Sequence, residues 1–173
     1  MFNKNENIGF IKGHMCSPAI ATQAEDLIAG GLQPELVPGE IILTDGAFND
    51  TAVARLYGYD YDIIHSSKDL TNEIEEMITS AEILYKRGLH WTTDAGYRET
   101  WGQVMDYRDK GALCVEMEGV GLFTIANYRK CVATGIYVVS DVYLEDDWKL
   151  GWEGNDIKKA VGEIIDMIIK SIR

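Results

Sequence analysis

Short apolar runs alternate with longer segments of helical periodicity along the chain, and this alternation restricts its fold more than any other feature. We predict strands near 8–12, 40–44, 88–92, 112–115 and 134–139, and helices near 18–29, 71–87, 116–129 and 155–172. The last helix has the clearest pattern, because Asn155 can cap it and its apolar residues form one stripe: Ile157, Val161, Ile164, Ile165, Ile168 and Ile172. Strands interleaved with helices predict a single α/β domain over residues 1–173.

Charge and cysteine content restrict the partners of the chain. The formal net charge is −12, which argues against nucleic acid or an anionic membrane as a partner. The three cysteines form no CxxC pair, so we expect a reduced, cytoplasmic compartment. No apolar run reaches the ~20 residues of a membrane span. The three histidines show no metal-ligand spacing, and we expect no metal site.

Two carboxylates lie inside the otherwise apolar segment ALCVEMEGVGLF, residues 112–123. A buried carboxylate is costly without a partner, so Glu116 and Glu118 need hydrogen-bond donors or a ligand. The segment before them predicts a strand and the segment after them a helix, and α/β proteins commonly bind ligands at such junctions. Met117 between them is, on general grounds, a core methionine.

A second junction occurs at GIYVVSDVY, residues 135–143. We predict that the buried strand ends at Val139, so that Ser140 and Asp141 follow at its carboxyl end, where open α/β sheets bind ligands. The alternative is that Asp141 only caps the next turn.

The third stretch is LHWTTDAGYRET, residues 89–100, which interleaves aromatic and polar side chains. Such a mixture suits a flat, polar ligand such as a base or a sugar. The alternative is a solvated loop in which Arg98 contacts Asp94 or Glu99, a kind of exposed pair that contributes little.

Together, VEMEG, VVSD and WTTDAGYRET resemble motifs of the nucleoside phosphorylase superfamily, which holds purine nucleoside phosphorylases, uridine phosphorylases and related nucleosidases. Two further stretches are similar to the family: 13–28, to its glycine-rich turn and following helix, and 30–50, to a PGD-type strand segment. The resemblance implies a three-layer fold with a mixed central sheet flanked by helices. It also implies reversible phosphorolysis of nucleosides to free base and ribose 1-phosphate, without metal or cofactor, in homo-oligomers (dimers or hexamers).

The resemblance also assigns roles to individual residues. Glu118 corresponds to the glutamate that accepts hydrogen bonds from the ribose hydroxyls, with Met117 packing on the sugar and Glu116 at the base end. One carboxylate can accept both protons of a vicinal diol. Asp141 corresponds to the general acid that protonates the leaving base in purine-cleaving members, which favours purine over pyrimidine nucleosides.

The loop TTDAGYRET corresponds to the base-binding segment of the family and brings Thr93 and Asp94 to the base. Many members stack an aromatic on the base two residues after the aspartate, where this chain has Gly96. The neighbouring Tyr97 is therefore the candidate for stacking.

No residue of the chain matches the phosphate-binding arginines of the family. A strand that normally follows the first helix has no counterpart between residues 28 and 31. We expect that the chain is a nucleoside phosphorylase lacking family segments, because a sheet without a central strand would leave backbone donors unpaired. The alternatives are a shortened homologue that binds nucleoside or serves as an assembly subunit, and a nucleosidase that uses water.

Overall fold

The computed structural model describes residues 28–145, 148–151 and 154–171. The strands are β1 (Ile28–Gly31), β2 (Ile41–Asp50), β3 (Ile63–His65), β4 (Tyr85–Thr93), β5 (Cys114–Glu116), β6 (Ile136–Tyr143) and β7 (Trp148–Leu150). The helices are α1 (Val53–Leu56), α2 (Lys68–Ser80), α3 (Trp101–Asp109), α4 (Gly119–Arg129) and α5 (Asn155–Ser171). The predicted α/β class is therefore confirmed. No helix in these three ranges is long and apolar enough to cross a membrane.

The strands form one mixed sheet in the order β3-β2-β4-β5-β1-β6-β7. Strands β2, β4 and β5 run parallel to one another, whereas β1 and β6 run in the opposite direction. An additional β2–β6 pairing closes the five strands from β2 to β6 in this order into a ring. The strand β2 bends at Gly46, where the register shifts and φ is +149°. A side chain there would collide with the backbone of β3, so only glycine fits this bulge.

Helices cover the sheet and form the core with it. The helices α2 and α5 pack on β2 through Leu43, Ile78 and Met167. The helices α1 and α4 pack on another part of β2 through Ala47, Ala54 and Phe123. The prediction of a mixed central sheet flanked by helices is thus confirmed.

The predicted elements agree with the structure to different degrees. The last helix is confirmed within one residue at its end, and Ile157 and Ile164 are buried as expected. Ile165, in the same apolar stripe, is 41% exposed, and Ile172 lies outside the described residues. The predicted helix 71–87 is wrong after Ser80, because Glu82 adopts a positive φ of 56° and residues 85–87 belong to β4.

Other predicted boundaries also change. The strand 8–12 and residues 18–27 of the first predicted helix lie outside the described residues, and residues 28–29 are strand rather than helix. The helix predicted at 116–129 begins at Gly119. The remaining predicted strands exist with shifted ends, whereas β1, β3, β7, α1 and α3 were not predicted.

Candidate active site

The carboxylate of Glu116 holds the β5–α4 junction together. Its side chain is 1% exposed. One oxygen, Oε2, accepts hydrogen bonds from the backbone amides of Glu118 (2.8 Å) and Gly119 (2.7 Å). The other, Oε1, accepts from Thr92 Oγ1 at 2.5 Å and lies 3.0 Å from His90 Nε2. The expectation that Glu116 needs hydrogen-bond donors or a ligand is met by these protein donors, whereas its contact with a base stays a prediction.

The electrostatic surroundings of Glu116 favour its ionised form. Burial raises the pKa of this carboxyl, but the neighbouring His90 and the hydrogen bonds from His90, Thr92 and the Glu118 amide outweigh burial, so the pKa lies below its usual value. The negative charge acts in turn on two groups of the same cluster. Burial, together with the charge of Glu116, raises the pKa of the Cys114 thiol and of the Tyr137 hydroxyl well above their usual values.

The side chains of Met117 and Glu118 lie on the exposed side of the junction. Met117 is 50% exposed, so the interpretation as a core methionine is wrong. The Met117 amide donates a hydrogen bond to Glu118 Oε2 at 3.1 Å. A hypothetical Cβ on Gly96 would lie 3.5 Å from Met117 Sδ, so the loop after β4 passes directly beside this methionine. The junction and the third sequence stretch therefore meet.

The strand β4 ends with the buried Thr93, and the loop after it begins with the exposed Asp94. Thr93 Oγ1 accepts a hydrogen bond from the Ala95 amide at 3.2 Å. Asp94 Oδ2 accepts one from the Ala52 amide at 2.7 Å, which ties the loop to the start of α1. Because Thr92 pairs with Glu116 in the β4–β5 register, Thr93 and Asp94 follow at the edge where β5 ends. The predicted base-binding position of both residues stays a prediction.

Tyr97 is fully exposed, on a 3-10 turn that spans Gly96–Arg98. Its ring has no aromatic neighbour within the described residues. Stacking on a base stays a prediction for it.

Asp141 lies inside β6 and not after it, so the predicted strand end at Val139 is wrong. The strand continues to Tyr143 because Asp141 pairs with Gly30 of β1 and Leu150 of β7, strands that the sequence patterns missed. Asp141 is 5% exposed, and Ser140 Oγ donates to its Oδ1 at 2.5 Å. The strand β6 also runs antiparallel to β5.

Glu99 is the residue that connects these parts, and sequence reasoning did not select it for the site. Its Oε2 accepts a hydrogen bond from Tyr143 Oη at 2.8 Å, and its Oε1 would lie 3.5 Å from a Cβ on Gly96. Burial raises the pKa of Glu99; the Tyr143 hydrogen bond opposes this, and the charge of Asp141 adds to it. The alternation of side chains along β6, which puts residues 141 and 143 on one face, was the available signal.

The loop therefore does not pair within itself as the alternative proposed. Asp94 and Glu99 reach Ala52 and Tyr143, and no ion pair with Arg98 forms in the described part of the chain. Met117, Gly96, Glu99, Tyr143 and Asp141 form a continuous series of neighbours, in which the two acidic positions Glu99 and Asp141 interact electrostatically.

Two arginines near the sheet are engaged by protein acceptors. Arg87 contacts Asp45 at 2.7 Å and Glu75 at 2.5 Å. Arg108 donates to the carbonyl oxygens of Leu32 (2.5 Å) and Tyr143 (2.6 Å). These guanidinium groups hold strands and loops in place. The sequence motifs had likewise predicted no phosphate-binding residue.

Comparison with known proteins identifies the family. The sequence profile of the phosphorylase superfamily matches residues 28–170. The chain belongs to the phosphorylase superfamily. The resemblance that VEMEG, VVSD and WTTDAGYRET indicated is thus confirmed.

Curated relatives within the superfamily are purine nucleoside phosphorylases of the DeoD type. The protein of Exiguobacterium sibiricum is 31% identical over 115 residues, which cover 65% of this chain and 48% of the relative. That of Bacillus cytotoxicus is 28% identical over 113 residues, with the same coverage. The chain therefore spans about half the length of the curated relatives that it matches.

Solved structures of the superfamily share the fold. Purine nucleoside phosphorylase from Toxoplasma gondii, in complex with immucillin-H, has a TM-score of 0.72 at 17% identity; the match covers 83% of this chain and 59% of that one. The P. knowlesi homologue of the P. falciparum PNP has a TM-score of 0.68 at 20% identity, covering 82% and 57%. The phosphorylase-like fold predicted from the sequence is confirmed.

Proposed function

We propose that this chain is the nucleoside-holding part of a pentosyltransferase that cleaves purine nucleosides by reversible phosphorolysis. The observation that carries the proposal is the arrangement at the β5–α4 junction, where buried Glu116 holds two backbone amides and leaves Glu118 and Met117 exposed beside Gly96. Membership of the phosphorylase superfamily and the curated purine-cleaving relatives support the substrate class.

Glu118 accepts hydrogen bonds from the 2′- and 3′-hydroxyls of ribose. A carboxylate has acceptor sites for both hydroxyl protons, and such charge-assisted bonds are stronger than neutral ones. Met117, half-exposed next to the same position, packs its thioether against the apolar face of the sugar.

Asp141 acts as the general acid. An oxygen of phosphate attacks C1′, the bond from C1′ to the base breaks, and the electron pair passes to the base, which takes the proton of Asp141 on a ring nitrogen. Asp141 is 5% exposed and lies close enough to Glu99 for the two carboxyl groups to interact, so it faces the same part of the candidate site. The base then lies toward Thr93, Asp94, Tyr97 and Glu116, and inorganic phosphate is the co-substrate, with no metal or organic cofactor.

The proposal is tested by release of hypoxanthine from inosine, and of uracil from uridine, with and without phosphate. We expect release only with phosphate, and faster release from inosine. Equal release without phosphate would make the chain a nucleosidase. The variant Glu118→Ala should weaken the binding of inosine much more than the binding of 2′-deoxyinosine. The matched control is Glu73→Ala, which removes an exposed carboxylate on α2 and should change the binding of neither nucleoside.

Nucleoside binding without turnover is a second candidate, favoured by the arginine contacts. Arg87 and Arg108 are both held by protein acceptors. Inosine that binds in calorimetry but yields no hypoxanthine at any phosphate concentration would favour this candidate. Assembly into homo-oligomers and a cytoplasmic location stay predictions.

A further inference from the structure

His90 is a fully buried histidine next to the Glu116 carboxylate. It lies in β4, is 0% exposed, and packs against the rings of Tyr137 (4.8 Å between centroids) and Phe123 (6.1 Å). Its Nδ1 lies 2.6 Å from Thr44 Oγ1 of β2, and its Nε2 lies 3.0 Å from Glu116 Oε1 of β5. The polar contacts of the imidazole therefore connect β4 with β2 and β5.

The hydrogen-bond inventory fixes a proton on Nε2. The single hydroxyl proton of Thr92 is directed at Glu116 Oε1 at 2.5 Å, and an ionised carboxylate only accepts. An unprotonated Nε2 would face acceptors with no hydrogen between them. His90 therefore donates Nε2–H to Glu116, whichever way the proton between Nδ1 and Thr44 is placed.

Glu116 in turn contacts the backbone of the residues that we propose to face the ligand. The oxygen that does not face His90 binds the amides of Glu118 and Gly119. Gly119 also has to lack a side chain, since a Cβ there would collide with His90 Nε2 and lie 3.0 Å from Glu116 Oε1. The imidazole thus contacts the buried glutamate and closely approaches the glycine that follows Glu118.

We propose that His90 is a positioning residue that, through Glu116, fixes the Glu118 carboxylate for a ribose diol. The ligand class rests on the proposed function, whereas the positioning effect does not. The other ionisable groups around Glu116 are the Cys114 thiol on β5, the Tyr137 hydroxyl on β6 and Glu118 itself. The Tyr137 hydroxyl also interacts with Glu116 through a side-chain hydrogen bond, but it approaches from β6, whereas His90 and Thr92 approach from β4.

Two amide variants separate positioning from packing. His90→Gln places an N–H near the position of Nε2 and keeps the donor to Glu116, whereas His90→Asn reaches only the position of Nδ1 near Thr44. Both are neutral and polar, so a general loss of packing or charge affects them alike. We expect His90→Asn to weaken inosine binding on the order of tenfold, with a smaller loss for 2′-deoxyinosine, and His90→Gln to restore most of it. Equal losses in the two variants, or no loss in His90→Asn, would overturn the proposal.

A second pair of variants covers the case in which His90→Asn does not fold. Thr92→Val removes the other donor to Glu116 Oε1, and Thr92→Ser retains it. We expect Thr92→Val to weaken inosine binding more than 2′-deoxyinosine binding, and Thr92→Ser to restore most of the inosine binding. Equal binding by the two variants would contradict the mechanism.

A failed function and a failed positioning role give different results. If the unaltered chain binds neither nucleoside, the proposed function fails, and the amide NMR shifts of Glu118 and Gly119 then test positioning by themselves. These shifts should move in His90→Asn and stay near their original values in His90→Gln. Shifts that stay constant in both variants would refute positioning.

Discussion

Replacing Glu116 by alanine should destabilise the fold more than any other single truncation at the site. The change removes the acceptor of Thr92 Oγ1, of two backbone amides and of His90 Nε2. Each buried donor left without a partner costs about 1–3 kcal/mol. Because these costs overlap within one network, we expect a total loss of about 3–5 kcal/mol rather than their sum. That is a large share of the ~5–15 kcal/mol that stabilises a typical domain.

Urea unfolding followed by circular dichroism measures this loss. The matched control is Glu118→Ala, an exposed carboxylate two residues away, which we expect to change the free energy of unfolding by less than about 1 kcal/mol. A loss below about 1 kcal/mol for Glu116→Ala would refute the conclusion that this carboxylate holds the junction together.

The pH dependence gives an independent check of the same group. The pKa of Glu116 in the folded chain lies below its ordinary value of 4.5. Its ionised form therefore contributes stability that is fully present above pH 4.5 and is lost as the pH falls through the folded pKa. Glu116→Gln should flatten this acid limb while lowering stability near neutral pH. If the loss of stability at acid pH is the same in Glu116→Gln, other carboxyl groups determine the acid dependence.

Three further predictions concern the surroundings of the site. Gly119→Ala should cost about 1–3 kcal/mol because its Cβ collides with the buried imidazole, whereas Gly121→Ala in the same helix, with its nearest atom at 3.9 Å, should be neutral or slightly stabilising in urea unfolding. Tyr143→Phe should raise the pKa of Glu99, because the lost hydrogen bond lowers it, and a carbon-13 NMR titration with no rise would contradict this. Ile164→Ala should cost about 2–5 kcal/mol and Ile164→Val about 0.5–1.5 kcal/mol, and equal losses would argue against tight packing under α5.

The sequence predicted the elements whose signals are local. The helix α5 has apolar residues at helical spacing, and this pattern does not depend on the rest of the fold. The junction after β5 was equally accessible, because two acids in an apolar run require partners wherever the run is placed. Element ends were less accessible: the helical pattern was extended to Arg87, whereas a short connection with a positive φ at Glu82 separates α2 from β4.

The features that the sequence did not predict depend on pairing between distant strands. Asp141 looks like a residue after a strand because the polar pair Ser140–Asp141 interrupts the apolar run, but Gly30 and Leu150 pair beside it and extend β6. The role of Glu99 depends on the same pairing, since Tyr143 reaches it only when β6 continues to that residue. His90 gave no motif signal at all, because its partners Thr44 and Glu116 are far from it in sequence.

The two glutamates of VEMEG can have different tasks because the strand ends between them. In a continuing strand, residues 116 and 118 would point to the same face, and both carboxylates would be buried together. The strand β5 stops at Glu116, and Glu118 adopts φ −118° and ψ −31° at the start of α4, so its side chain leaves toward solvent. The turn that separates them is held by Glu116 itself, through the Glu118 amide. The spacing of two residues thus gives one buried acid that shapes the backbone and one exposed acid that this backbone presents to a ligand.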